Sequence, residues 1–421
     1  EYTALWNIRK GLFPAVGAVR ETGTTVIIED VAFPIDRLAR ATLHLQEIMR
    51  RYRYDEAIIF GHALEGNLHF CFTQDFAPPA EVERYRAFMH DVCDMVVNAY
   101  DGSLKAEHGT GRNMAPYVEM EWGREAYAVM QRIKAIFDPN NRLNPGVILN
   151  ANPRIHVENL KPLPPADPII DTCIECGFCE ANCPSKNLTL TPRQRIVVQR
   201  EIARLRGTCE NPARLAVLED GYRYPGEQTC AADGLCAEAC PVDINTGEHT
   251  KQLRRRAVSP AAARAADAVA DHFGRTAALI RTGLKTADAI HGLLGSGRMA
   301  GLTAGLRRLS GNRLPHWTPR MPRGVEGPRP QPVRASNTRQ AVYFPSCISR
   351  TMGPAQGDPD RDPLHAVTMR LLEKAGFQVR FPERMEALCC GTPFESKGFM
   401  AQADAKSAEL EAALLDASDG G

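Results

Sequence analysis

Apolar and polar positions along this chain change period several times, and each change marks an element. Thr24 to Val31 (TTVIIEDV) is β-branched and reads as a strand that Pro34 closes. From Ile35 to Tyr52 the apolar residues Ile35, Leu38, Ala39, Leu43, Leu45, Ile48 and Met49 recur at helical spacing. Ala57 to Phe60 (AIIF) predicts a short buried strand, and Val82–Tyr100 and Glu121–Phe137 predict two further helices. Pro192–Leu205 predicts a basic helix with Thr191 as N-cap, and Asn211–Asp220 a shorter one. Ala261–Leu309 is helical in pattern, with breaks expected at Gly274, Gly283, Gly292 and Gly295. Leu314–Gln331, rich in Pro and Arg, predicts a linker. Ala341–Phe344 and Gln378–Phe381 predict strands around a helix at Pro363–Ala375.

The overall class is α+β. Residues 1–155 predict a split βαβ, ferredoxin-like sheet with helices on one face. The proline-rich stretch Asn152–Pro168 predicts a stiff linker into a mostly α-helical domain over 166–258. A basic helical segment and linker cover 259–340, and a partial α/β domain covers 341–421.

The cysteines dominate the second domain. Cys173-Ile-Glu-Cys176-Gly-Phe-Cys179 with Cys183-Pro184 is C-x2-C-x2-C-x3-C-P, the spacing of a two-cluster ferredoxin. In such proteins the fourth cysteine ligates the other cluster. Cys230, Cys236 and Cys240-Pro241 repeat the frame with Asp233 where a cysteine is expected. The spacing pairs Cys173, Cys176 and Cys179 with Cys240, and Cys230 and Cys236 with Cys183, around two 4Fe-4S clusters. At the Asp233 corner three arrangements stay open: a carboxylate ligand, an empty corner on a 3Fe-4S cluster, and Cys209 from the intervening loop, in that order of preference. C-x2-C repeats also serve structural zinc, but the crossed x3-C-P pattern favours clusters.

Two histidines and a carboxylate carry the first domain's chemistry. His62 and His69 converge only if the chain turns between them, and Gly66-Asn67 supplies a turn. Glu107 and His108 precede Gly109-Thr-Gly111, where backbone can approach a ligand. Together they form a candidate divalent-metal site, zinc or manganese.

Composition narrows the setting. Thirteen cysteines, mostly in cluster spacing, point to a reducing, cytoplasmic compartment. No signal peptide and no membrane-spanning run is visible, and a chain that opens without Met inside a predicted element reads as a piece of something longer. The formal charge is +1 overall, yet Lys251–Gln340 holds 17 Lys/Arg against four Asp/Glu. That stretch reads as a solvated basic face, with a peripheral anchor on the anionic inner face of the plasma membrane as the alternative. Nucleic acid is not expected, since no reader motif or aromatic interleaving is present.

The motifs GHALEGNLHF, KAEHGTGR and IFDPNNRLNPGVIL, with Trp6-Asn-Ile-Arg9-Lys-Gly11 and Glu29-Asp30-Val-Ala-Phe-Pro34, resemble the C-terminal half of FAD-linked 2-hydroxyacid dehydrogenases. Pro345-Ser-Cys347 and Leu388-Cys389-Cys390-Gly391 resemble the first half of a cysteine-rich CCG module, a redox or cluster site. The domain order resembles that of fused FAD/iron–sulfur D-lactate dehydrogenases. The resemblance implies His62, His69 and Glu107 as metal ligands and His108 as the group that takes the hydroxyl proton. It implies Asn67 as a polar contact to substrate, Arg9 as the carboxylate clamp, and Asn144 with Gly109 and Gly111 on the flavin side. It places the main FAD-binding domain upstream, outside this chain.

The implied function is oxidation of a small D-2-hydroxy acid, most simply D-lactate to pyruvate, with electrons passing through the clusters to a membrane quinone or cytochrome. Ile28 stands where relatives selective for dicarboxylates carry lysine, which disfavours D-2-hydroxyglutarate. That substrate and glycolate remain alternatives within the class. A non-catalytic electron-transfer module is the alternative outside it.

Overall fold

A computed structural model describes residues 2, 3, 5, 6, 13, 16–329 and 339–419. Arg9 and Gly11 lie outside the described residues, as does the end of the predicted linker at Gln331. The chain divides into two compact units, Glu1–Thr250 and Lys251–Gly421.

The first unit is built on a three-stranded sheet. β1 (Thr25–Ala32) and β2 (Ile58–His62) each run antiparallel to β3 (Asn67–Gln74), which lies between them. The helix α1 (Ile35–Arg51) makes the crossover from β1 to β2, which is the split βαβ topology. An isolated bridge from Ala32 to Ser103 continues the sheet past β1, on the side where a fourth strand would lie.

Alternation along each strand divides the sheet into two faces. Val31, Leu68, Phe70 and Phe72 face the helices. There they join Leu45 and Ile48 of α1 and Tyr85, Phe88 and Met89 of α2 (Pro79–Asp94) in one core. The opposite face carries the chemistry. Asp30, His69 and Phe60 form one row across the three strands, and Ala32, Asn67 and His62 the next.

After α2 the helix loosens into a π turn over Met95–Ala99, and α3 (Val118–Phe137) follows with a kink at Gly123 (φ 78°). The expected linker is less free than a spacer: His156, Val157 and Leu163 are buried, and Val157 joins the sheet core. Then come α4 (Pro192–Thr208) and α5 (Pro212–Tyr222). Thr191 caps α4 in a capping box, its hydroxyl accepting from Gln194 N (3.4 Å) while Gln194 Oε1 accepts from Thr191 N (2.9 Å). The helix α6 (Thr246–Ala257) spans the division between the units.

In the second unit α7 (Pro260–Asp271) leads to α8 (Phe273–Leu309). The expected breaks at Gly274, Gly283 and Gly292 do not occur; only Gly295 (φ 75°, ψ 166°) leaves helical backbone. A helical glycine costs about 1 kcal/mol relative to Ala, which the surrounding Ala- and Leu-rich turns outweigh. β4 (Arg339–Val342) then pairs in parallel with β5 (Phe377–Arg380). Between them lie the one-turn α9 (Cys347–Thr351) and α10 (Leu364–Lys374), and α11 (Met400–Ala417) ends the unit. Among the described residues no helix is long and apolar enough to cross a membrane.

Candidate functional site

The site on the open face of the sheet starts from a tight hairpin. β2 ends at His62, one 3-10 turn covers Ala63–Glu65, and Gly66 (φ 69°) returns the chain into β3. A Cβ at Gly66 would stand 2.1 Å from the Phe33 carbonyl, so both the left-handed backbone and the close approach require glycine. With Asn67 paired to His62 and His69 to Phe60, the two histidines become diagonal neighbours on one face.

Glu107 completes the group: its Oε1 lies 2.8 Å from His69 Nε2 and 3.3 Å from His62 Nε2. One ligand atom from each of the three residues falls within 4.8 Å of the others. Two imidazoles and a carboxylate leaving positions open are a donor set for zinc or a similar divalent ion. Buried polar atoms without hydrogen-bond partners lie beside it: Asn67 Oδ1 and His69 Nδ1. An apolar fold does not leave such atoms unpaired without a reason, so the residues present fit a bound ion and a polar ligand.

Asp30 holds the loop that brings Glu107 and His108 to the sheet. Its Oδ2 accepts from the backbone N–H of Ala106 (3.0 Å), Glu107 (2.6 Å) and His108 (3.2 Å), while Oδ1 faces His108 Nδ1 at 3.5 Å. Burial alone would raise the Asp30 carboxyl, but these donors hold it below its ordinary value. Lys105 completes the anchor by pairing with the buried Glu29, which Asn113 also bonds. Burial and then the neighbouring His108 keep the His69 imidazole below its usual value. Glu29, Asp30 and Lys105 form a support that sequence spacing alone does not single out.

The remaining residues expected here are placed as follows. Gly109 (φ 70°) is exposed with open space around it, and Gly111 lies beside the Asn113 side chain. Asn144 (φ 43°) sits in the exposed turn after α3, its carbonyl accepting from Val147 N (3.3 Å). Ile28 is half-buried on β1, two residues from Asp30 and on the same face.

The cysteine sets lie in the same unit. Cys173, Cys176, Cys179 and Cys240 line one apolar cavity with Ile174 and Ile196. Among the described residues no three cysteine sulfurs lie within 4.8 Å of one another. Cys183 and Cys236 are buried. Cys183 Sγ lies 3.8 Å from Arg195 Nη1, and Arg195 is itself pinned by Gly226 O (2.6 Å) and Ser185 Oγ (3.2 Å). Cys230 is half-buried. Asp233 is exposed, and its Oδ1 accepts from Leu235 N (3.2 Å) in a local turn. Cys209 is exposed at the C-terminus of α4.

In the second unit Cys347 opens α9 and shares a hydrogen bond with the buried Cys389, which lowers the Cys347 thiol to about 6 and raises that of Cys389. Cys390 is exposed and 3.4 Å from Thr392 Oγ1. The buried Arg350 donates to the carbonyls of Leu388 (2.7 Å) and Met385, fixing the segment before Cys389. Cys347 also borders an apolar cavity with Ala266, Val269, Phe273, Ile280 and Phe394.

Comparison with known proteins assigns each of these regions. Residues 1–148 match the family model for the C-terminal domain of FAD linked oxidases, 169–244 that for a 4Fe-4S dicluster domain, and 341–417 that for a cysteine-rich domain. Similar curated proteins include the glycolate oxidase subunit GlcD of Bacillus subtilis, 34% identical over 34% of this chain and 30% of that protein. The mitochondrial D-lactate dehydrogenase [cytochrome] of Arabidopsis thaliana is 34% identical over 34% of this chain and 25% of that protein. The D-2-hydroxyglutarate dehydrogenase of Pseudomonas putida is 27% identical over 58% of this chain and 29% of its own length. The chain thus spans about a third or less of the length of these relatives. It carries, in this order, an FAD-linked oxidase C-terminal domain, a 4Fe-4S dicluster domain and a cysteine-rich domain.

Proposed function

We propose that this chain supplies the substrate side and the electron exit of an FAD- and iron–sulfur-dependent D-2-hydroxy acid dehydrogenase. The observation that carries the reading is the convergence of His62, His69 and Glu107 beside His108 on one sheet face. A divalent ion held there would polarise the substrate 2-hydroxyl, and the flavin would take the hydride from the same carbon.

The chain's own residues do the rest. Asp30 faces His108 Nδ1 and favours the tautomer with its proton on that nitrogen, leaving Nε2 to take the hydroxyl proton. Asn67, buried with an unpaired amide oxygen, offers the substrate a hydrogen bond. Arg9 is assigned the carboxylate clamp on the motif alone, and Gly109, Gly111 and Asn144 the flavin side. Cys173, Cys176, Cys179 and Cys240 would hold one 4Fe-4S cluster, and Cys183, Cys230 and Cys236 the other. The local turn that occupies Asp233 Oδ1 leaves Oδ2 for the fourth corner. Cys347, Cys389 and Cys390 would form the exit towards a quinone or cytochrome, and the basic stretch after Lys251 would be a solvated face, with a peripheral anchor on the inner face of the plasma membrane as the alternative.

D-lactate is the favoured substrate because Ile28 puts an apolar side chain on the site face where a dicarboxylate needs a cation. D-2-hydroxyglutarate is the second reading, favoured by the relative that matches 58% of the chain. The deciding experiment mixes the full-length protein anaerobically with D-lactate, L-lactate, glycolate and D-2-hydroxyglutarate in turn. Flavin bleaching by D-lactate is expected, lost in His108→Ala. Bleaching by D-2-hydroxyglutarate alone would move the second reading to the front, and bleaching by none would leave an electron-transfer module.

A further inference from the structure

Two buried arginines meet on the loop of the first cysteine set, and they come from different domains. Arg20, on the segment leading into β1, donates from Nη2 to the carbonyls of Asp171 (2.7 Å) and Cys173 (3.1 Å). Its Nη1 donates to Thr172 O (3.0 Å) and Gly17 O (2.7 Å), and its Nε to Thr24 O (2.9 Å). Arg200 of α4 approaches the same loop, donating to Cys173 O (2.8 Å) and Asp171 O (3.3 Å) and pairing with Glu175 Oε1 (2.8 Å). Arg20 is 7% exposed and Arg200 3%. Beside them Gly17 packs so tightly on Ile174, between Cys173 and Cys176, that a Cβ there would stand 2.3 Å from Ile174 Cγ2.

All five bonds of Arg20 end on carbonyl oxygens, so its charge is not spent in a direct ion pair among them. Burial and the nearby Arg200 both work against that charge, while Cys173, Asp171 and Glu175 favour it. A cation kept dry beside a like charge is costly unless an anion shares the site. Asp171 and Glu175 supply part of that negative charge, and a cluster ligated by four thiolates would supply more.

We propose that Arg20 is an inter-domain positioning residue. From the oxidase-type domain it fixes the Cys173–Cys176 loop, and as a buried cation it raises the reduction potential of the cluster held by Cys173, Cys176, Cys179 and Cys240. That cluster is then the first acceptor of electrons from the flavin. Net charge and hydrogen bonding are the protein's levers on such potentials, and a cation stabilises the reduced cluster, which carries one more negative charge. Oxidation of the hydroxy acid would pass a hydride, two electrons and one proton, to the flavin and the hydroxyl proton to His108; the reduced flavin would then release its electrons one at a time to the clusters and its proton to solvent.

This inference rests on the cluster reading of the cysteines, and a full-length protein without any iron–sulfur EPR signal would end that reading first. The test is a dithionite redox titration followed by EPR on full-length Arg20→Gln and Arg20→Lys, with stopped-flow reduction by the hydroxy acid alongside. Arg20→Gln is expected to move the midpoint of one cluster to lower potential and leave the other in place. Flavin bleaching should keep its wild-type rate while cluster reduction slows. Arg20→Lys, which keeps the charge with fewer donors, is expected to restore the midpoint. Unchanged midpoints in Arg20→Gln, or equal shifts of both clusters, would overturn the proposal. If Arg20→Gln fails to assemble its clusters, Arg20→Lys decides: a midpoint close to wild type supports the charge effect, and a lowered one overturns it.

Discussion

A single carboxylate governs the geometry of the sheet-borne site. Asp30 lies with His69 and His108 in a group whose ligand atoms fall within 4.8 Å of one another, and three backbone N–H groups of the Ala106–His108 turn end on one of its oxygens. Groups that support metal ligands in this way commonly cost 10–100-fold in affinity or activity when removed. Asp30→Ala should therefore lose bound divalent metal, measured by atomic emission on the purified protein, together with turnover by about 10–100-fold. Asp30→Asn keeps an oxygen for the three donors and loses the charge facing His108. It should retain metal while its turnover falls. Loss of metal in both variants alike would mean that the charge, rather than the turn, holds the site together. His108→Ala should lower kcat by about 10²–10⁴-fold, as expected for removal of a general base, with metal content unchanged.

At the scale of elements, the segment joining the sheet domain to the cysteine loops carries a pH-sensitive joint. His156 is buried beside Tyr117, whose hydroxyl lies 3.4 Å from Nε2, and burial with help from Arg86 and Arg154 lowers the imidazole to about 4. The folded state therefore leaves His156 neutral at pH values where the unfolded chain, titrating near 6.5, has taken a proton. Stability from this group is whole above about pH 6.5, declines as the pH falls towards 4, and then levels. Denaturant melts across that range should show the decline, and His156→Phe should flatten it relative to wild type. An equal slope in the variant would assign the decline to other groups.

The same scale shows what sequence reasoning reaches. Each of the two cysteine sets, His62 with His69, and Glu107 with His108 is legible because it lies within a short run whose spacing is itself the signal. Asp30 and Arg20 act across 76 to 78 and 151 to 153 residues respectively, and no local period reports such a contact. Gly274, Gly283 and Gly292 of α8 show the converse: local propensity predicts breaks there that neighbouring turns override, while Gly295 does break the helix.

For the molecule as a whole, the proposed function makes the order of domains along the chain an order for electrons as well: substrate sheet, cluster loops, then the cysteine pair of the second unit. A flavin takes up electrons in pairs and can release them singly, and clusters carry one at a time. The last site should then matter for reoxidation and not for reduction. Cys389 is 1% exposed and shares its hydrogen bond with Cys347, so a serine there keeps the volume and removes the sulfur. In full-length Cys389→Ser, the hydroxy acid should bleach flavin and reduce both clusters at wild-type rates, followed by absorbance and EPR. On adding a soluble quinone the clusters should stay reduced, where wild type reoxidises. Reoxidation at the wild-type rate would place the exit at the dicluster domain instead, and would leave the paired thiols near Arg350 with a role in holding α9 against the Leu388–Cys390 segment.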